Sequence, residues 1–62
     1  MSHETWRLEF LGRNGEEMNI NMPNFTAPSV GDTIEDDAIY NVVSVTWKTR
    51  LCVVTVVLHR AR

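Results

Sequence analysis

Few side chains in this sequence could act as a nucleophile, a base or a metal ligand: one cysteine, Cys52, and two histidines, His3 and His59. Nucleophilic catalysis by a thiol needs a base within hydrogen-bond reach. Seven positions separate Cys52 from His59 in one β-rich segment. This spacing puts them on opposite faces of a strand and about 23 Å apart. We therefore predict no enzymatic activity, and we expect Cys52 to be a small core residue beside Trp47.

The dense acidic run is Glu35, Asp36 and Asp37. Three adjacent carboxylates could attract a hard cation such as Ca²⁺ or Mg²⁺. The alternating oxygen donors and closing glutamate of an EF-hand loop are missing, so a solvated turn is the favoured interpretation. The cysteine and the histidines also lack the spacing of a zinc site. The sequence predicts no metal and no cofactor, and a structural or rim position for His59.

Basic residues are distributed unevenly along the chain. The formal net charge is −2, but residues 1–37 contain all eight acids and two arginines, a net −6, and residues 38–62 carry +4. Overall acidity excludes a uniformly cationic nucleic-acid binder. A local cationic surface in the second half is still predicted, and it becomes one patch only if the chain curls. The candidate contacts for an anion or a nucleic acid are Lys48, Arg50, Arg60 and Arg62.

A hairpin is predicted near the beginning of the sequence. Residues 6–11 and 17–22 alternate apolar and polar side chains, which is the period of a half-buried strand. A three-residue loop, Arg13–Gly15, puts Phe10 opposite Met18, so that the apolar faces agree, whereas a two-residue loop would mix them. The glycine of this loop supplies the left-handed conformation that the turn requires.

A second, longer hairpin is predicted over residues 40–59, where β-branched residues dominate both arms. A loop centred on residues 49 and 50 pairs Trp47 with Cys52 and makes one face wholly apolar. The opposite face is also partly apolar, unlike that of a strand with one side in water. Two interpretations stay open: the strand coils around a small closed barrel, or this face contacts a subunit or partner. The candidate interface residues are Tyr40, Val42, Val53 and Val57.

The segment between the hairpins contains two prolines and a Gly31–Asp32 turn, which discourage regular pairing. Asp32 and Glu35 have the spacing of a capping box, so a one-turn helix over 33–38 and a short strand at 33–34 both fit the sequence. We predict a single all-β domain, residues 1–62. Its fold would be a small antiparallel barrel of about five strands, with two hairpins joined by a proline-containing loop.

One stretch of the sequence resembles a known fold. Ser-Val-Gly-Asp-Thr-Ile at residues 29–34, then Tyr40-x-Val42-x-x-Val45-x-Trp47 and a valine-rich strand, is similar to the central turn and following strands of small SH3-like barrels. The resemblance covers residues 29–59. The layout is also similar to short uncharacterised β proteins encoded by bacteriophages. The resemblance implies an SH3-like barrel and a phage accessory or host-binding role, and it transfers no functional residues.

The small size of the chain favours assembly into an oligomer. A domain of 62 residues with one cysteine has no internal disulfide, and such a core supplies only a few kcal/mol, so oligomerisation is expected. No secretory signal or membrane-spanning segment is apparent, and the expected location is the cytoplasm, that of the host if the chain is phage-encoded.

Three functions are compatible with these observations. The leading hypothesis is a non-enzymatic protein-interaction module that acts as a homo-oligomer, with a host protein as its partner. The second is nucleic-acid binding through Lys48, Arg50, Arg60 and Arg62, with Tyr40 or a tryptophan stacking on bases. The third is an oligomer that holds a small anionic ligand, such as a nucleotide, between subunits with the same cations.

Overall fold

The computed structural model describes residues 6–20 and 27–61, which form β-strands, turns and no helix. No helix in this part of the chain is therefore long and apolar enough to cross a membrane. All five strands belong to one sheet, in the order β2-β1-β5-β4-β3. The strands are β1 (Arg7–Leu11), β2 (Glu17–Met18), β3 (Thr33–Glu35), β4 (Ile39–Lys48) and β5 (Val53–Arg60). The all-β prediction is confirmed, and of the two alternatives after the Gly31–Asp32 turn, the structure has the strand.

The sheet is mixed rather than wholly antiparallel. β1 runs antiparallel to β2, and β4 runs antiparallel to β3 and β5, but β1 and β5 are parallel, with Phe10 beside Val56. The alternation of apolar and polar side chains along a strand predicts its two faces but not which strands lie next to it. The sequence pattern therefore could not predict this pairing. Among the described strands, β2 and β3 are the two edges and do not pair with each other. The sheet is thus open, where the sequence predicted a closed antiparallel barrel.

The first hairpin has the predicted register, with Phe10 opposite Met18 and Leu11 opposite Glu17. Gly15 adopts the left-handed conformation, with φ of 86°, and its N–H donates to the Gly12 carbonyl at 3.0 Å. This conformation favours glycine because it has no Cβ. β2 ends at Met18, so residues 19–20 of the predicted second arm are not in a strand, and residues 21–22 lie outside the described residues.

The second hairpin is displaced by two residues from the predicted register. Trp47 lies opposite Val54 and not opposite Cys52. Cys52 instead belongs to the turn, where it has a φ of 55°, so the loop covers residues 49–52. A shift of two residues does not by itself move a side chain to the other face, and for this reason the apolar pattern could not detect it.

A β-bulge at Val43 determines which face of β4 is buried. Val42 lies opposite Leu58, whereas Ser44 lies opposite Val57, so Val43 is an extra residue on the β4 side. The bulge lets Val42, on one side of it, and Val45, on the other, both face the core, while Val43 itself is exposed. The sequence did not predict this bulge.

The core lies on one face of the sheet, around β5. Val54, Val56 and Leu58 are the largest fully buried side chains, and burial of each contributes about 1.5–3 kcal/mol. Phe10 of β1 and Tyr40 of β4 pack against them from the two neighbouring strands. The partly buried hydrophobic residues around this core are Trp6, Leu8, Met18, Ile20, Ala27, Ile34, Ala38 and Val45.

Candidate functional site

The four residues predicted to form a protein interface do not form one exposed surface. Tyr40 and Val42 are buried in the core. Val53 and Val57 lie on the opposite face of the sheet, where Val53 is buried and Val57 is half-buried. The bulge at Val43 separates the two pairs, because it turns the side chains of Tyr40 and Val42 to the core face of the sheet.

The predicted cationic residues are also separated. Lys48, opposite Val53, is at the turn end of the β4–β5 ladder, and Arg60, opposite Tyr40, is at the other end. The seven residue steps from Val53 to Arg60 correspond to about 23 Å of strand. Lys48 and Arg50 therefore stay together and Arg60 does not join them. Arg62 lies outside the residues that the structure describes.

The end of the β4–β5 hairpin exposes two large apolar side chains. Trp47 is 54% exposed and Leu51 is 68% exposed. The indole of Trp47 is held by Trp6, with ring centroids 5.6 Å apart and an interplanar angle of 66°. This edge-to-face contact is a favourable aromatic geometry. It orients Trp47 while leaving about half of its surface accessible.

A third cation reaches the same end of the molecule from β1. The backbone N–H of Arg7 donates to the Cys52 carbonyl at 3.0 Å, and Arg7 lies beside Val53 in the parallel β1–β5 ladder. Sequence reasoning missed Arg7 because only this parallel pairing brings it to the turn. We define the tip surface by its exposed side chains: Arg7, Trp47, Lys48, Arg50 and Leu51.

Cys52 occupies the turn and not the predicted core position beside Trp47. It is half-buried, and its thiol contacts the Thr49 carbonyl oxygen at 3.9 Å. His59 lies toward the opposite end of β5. The two groups are therefore too far apart for proton transfer between them.

The acidic turn has a structural contact that the sequence did not reveal. The Tyr40 hydroxyl donates to Asp37 Oδ1 at 2.9 Å. This hydrogen bond, together with burial and the negative charge of Asp37, raises the pKa of Tyr40 above its ordinary value of 10.0. Within residues 6–20 and 27–61, no group of three or more histidine, cysteine or acidic side chains is arranged to hold a metal ion.

Arg60 lies in a region of mixed charge. It lines a shallow depression of about 300 Å³ with Arg13, Glu16 and His59. The positive charge of Arg60 lowers the pKa of Tyr40, whereas the negative charge of Asp37 raises it. Acidic and basic groups therefore both lie near the Tyr40 hydroxyl. This end of β5 therefore differs from the tip surface, where three cations and two exposed apolar side chains lie at one end of the sheet.

Comparison with known proteins identifies no relative of this chain. No protein-family model, curated protein or solved structure matches the chain. The function is accordingly argued from the tip surface itself.

Proposed function

We propose that this chain is a non-enzymatic protein-interaction module and that the tip surface is its binding site. The observation that carries the proposal is the exposure of Trp47 and Leu51 at the same end of the sheet as Arg7, Lys48 and Arg50, with Trp47 on the core face and Arg7 and Lys48 on the other face. Tryptophan and arginine are the residue types most enriched among those that dominate binding energy at protein interfaces. The partner that fits is a protein with an apolar pocket bordered by carboxylates.

The hairpin is suited to this role because it is anchored in the core. β5 is paired on both sides, by β1 and β4, and supplies the most deeply buried side chains. The edge-to-face contact with Trp6 restricts the Trp47 ring before a partner arrives. A restricted side chain loses less conformational entropy on binding, which favours affinity.

The proposal includes assembly of the chain as a homo-oligomer and, if the chain is phage-encoded, a host protein as partner. The SH3-like barrel is part of the same proposal. Five strands and the left-handed Gly31 turn, with φ of 97°, support that likeness. The open side of the sheet between β2 and β3 departs from it.

Single-stranded nucleic acid is a second candidate ligand for the same surface. A half-exposed indole next to cations is the combination that stacks on bases and contacts phosphates. The co-location of Trp47 with Arg7, Lys48 and Arg50 supports this alternative. Arg60 is too distant along β5 to take part. The third hypothesis, a small anion held between subunits, uses the same four predicted cations, of which Lys48 and Arg50 lie together and Arg60 lies at the other end of β5.

Capture experiments with matched variants test the proposal. Tagged wild-type chain, Leu51→Ser and Val30→Ser would each be cross-linked in a bacterial lysate, and the captured proteins identified by mass spectrometry. Val30 is a matched control because it is 65% exposed, close to the 68% of Leu51, and lies away from the tip. We expect one partner to be captured by the wild type and by Val30→Ser but lost with Leu51→Ser. The same proteins on all three would count against the tip surface.

An oligonucleotide titration separates the two candidate ligands. Tryptophan fluorescence would be followed with single-stranded and duplex DNA at low and moderate salt. Binding that weakens steeply with salt and is lost in Lys48→Ala would favour nucleic acid. No binding at low salt would remove that alternative and leave the protein partner.

A further inference from the structure

The edge of β4 that faces away from β5 is paired before the bulge and unpaired by any described residue after it. Before the bulge it is paired: Tyr40 lies opposite Ile34 of β3, and Val42 exchanges backbone hydrogen bonds of 2.9 Å with Gly31 and Asp32. Beyond Val42, no described residue pairs with β4 on this side, whereas β5 continues to pair with it through Lys48 on the other. Alternate residues within 44–48 therefore present their backbone N–H and C=O groups outward.

We propose that a second copy of this chain pairs with this edge in antiparallel orientation, so that two β4 strands join two sheets into one. A row of outward backbone donors and acceptors is complementary to another extended strand. The inference rests on the proposed function in treating the chain as an oligomeric interaction module, and it names the surface that forms the oligomer.

The geometry of a two-fold pair determines how the strands can be aligned. With the axis perpendicular to the sheet, both copies present their core faces on the same side, and residues directly opposite each other must share a face. Such an arrangement has to be centred on a residue. The regular part of the edge, Ser44–Lys48, is centred on Thr46. Thr46 therefore lies opposite Thr46 of the second copy.

This alignment gives compatible side chains on both faces. Val45 lies opposite Trp47 of the second copy, twice by symmetry, which covers part of the exposed indole. Ser44 lies opposite Lys48 of the second copy, so the two lysines do not face each other. Thr46 is exposed in the single chain and forms a threonine pair at the axis. The edge is thus complementary to itself.

The composition of β4 supports pairing at this edge. Proteins protect exposed edges with charges, prolines or short strands. From Ile39 to Trp47, β4 contains neither a charged residue nor a proline, and it is the longest strand of the sheet. An interface of this length is below about 1,200 Å², the size of weak complexes, so we expect the dimer to dissociate on dilution.

Substitution at the axis tests the proposal. The full chain would be studied by light scattering after size exclusion, from micromolar to millimolar concentration. The wild-type mass should rise toward twice that of the monomer. Thr46→Lys puts two ammonium groups opposite each other, as Thr46→Glu does with two carboxylates, so each variant alone should stay monomeric. An equimolar mixture of the two should form dimers again.

Thr49→Lys is the matched control, because it adds the same charge at an exposed loop position outside the paired edge. It should dimerise like the wild type. A monomeric wild type at millimolar concentration, equal losses in Thr46→Lys and Thr49→Lys, or no recovery in the mixture would overturn the proposal. Circular dichroism would verify that the variants fold.

Hydrogen exchange on the wild type gives a readout that does not depend on variants. Outward-pointing amides within residues 44–48 should exchange more slowly as concentration rises, and an unchanged rate would overturn the proposal. Arg50→Glu and Leu51→Ser separate this inference from the tip surface, since neither residue is in the paired edge. Both variants should dimerise normally even if they lose the captured partner.

Discussion

Asp37 connects the acidic turn to the core. Its carboxylate accepts the hydrogen bond from Tyr40, which belongs to the buried core cluster together with Leu58. A carboxylate that accepts from a phenol stabilises the protonated phenol. The acidic run is therefore more than a solvated turn, since one of its members fixes a core residue.

The pH dependence of stability should report this contact. Because folding raises the pKa of Tyr40 above 10.0, the stabilisation is fully present below pH 10.0 and is lost as pH rises through the folded-state pKa. Urea unfolding between pH 7 and 11 should show a steeper loss for the wild type than for Tyr40→Phe.

A phenolate absorbance titration checks the same contact directly, because Tyr40 is the single tyrosine of the chain. Its midpoint should lie above 10.0 in the wild type and move down in Asp37→Asn. A wild-type midpoint at or below 10.0 would contradict the hydrogen bond.

Leu58 should be one of the most sensitive core positions, since it is 1% exposed. Truncation by Leu58→Ala removes buried methyl groups and leaves a cavity, at a cost of about 2–5 kcal/mol. A domain of this size has little stability to lose. Urea unfolding should show a large fall in midpoint or complete unfolding. Leu51→Ala, at an exposed site, should change the free energy of unfolding by less than about 0.5 kcal/mol.

At the scale of elements, the two hairpins show what the sequence could predict. In the first, the glycine of the turn and the apolar positions of both arms require one register, and the structure has that register at Phe10 and Met18. In the second, no glycine marks the turn, and Cys52 takes the left-handed position instead. The displaced register follows from that missing constraint, whereas the misplaced interface residues follow from the bulge at Val43.

Removal of the bulge tests its effect on β4. Deletion of Val43 would require the residues before it to turn to the opposite face, so that Tyr40 and Val42 would leave the core. We expect loss of cooperative urea unfolding and collapse of dispersion in an amide NMR spectrum. Val43→Ser keeps the backbone count at an exposed position, and it should remain folded. A folded deletion variant would show that the bulge does not determine the buried face.

At the scale of the whole molecule, charge is separated along β4. The tip surface has three cations at one end of this ten-residue strand, and Asp36 and Asp37 precede its other end, about 33 Å away. The sequence predicted the uneven charge but not its layout, because Arg7 reaches the tip only through the mixed sheet. The net charge of −2 is therefore the sum over a molecule whose two ends differ in charge.

Assembly should make stability depend on concentration. Since a dimer that forms only from folded chains stabilises them by mass action, the Tm of the wild type should rise between micromolar and millimolar protein. Thr46→Lys should show the same Tm throughout, and Thr49→Lys should follow the wild type. Differential scanning calorimetry measures this directly. A wild-type Tm independent of concentration would contradict assembly.

The parallel pairing of β1 with β5 has a consequence for how the chain acquires its structure. β1 and β2 are synthesised before β5, and β1 acquires its inner neighbour only when Val53–Arg60 has been made. Contacts between segments so distant in sequence slow folding, because a long loop must close before they form. At roughly 5–20 residues per second, β1 would wait several seconds on the ribosome without that neighbour. Docking of the first strand onto the last is therefore the expected rate-limiting step.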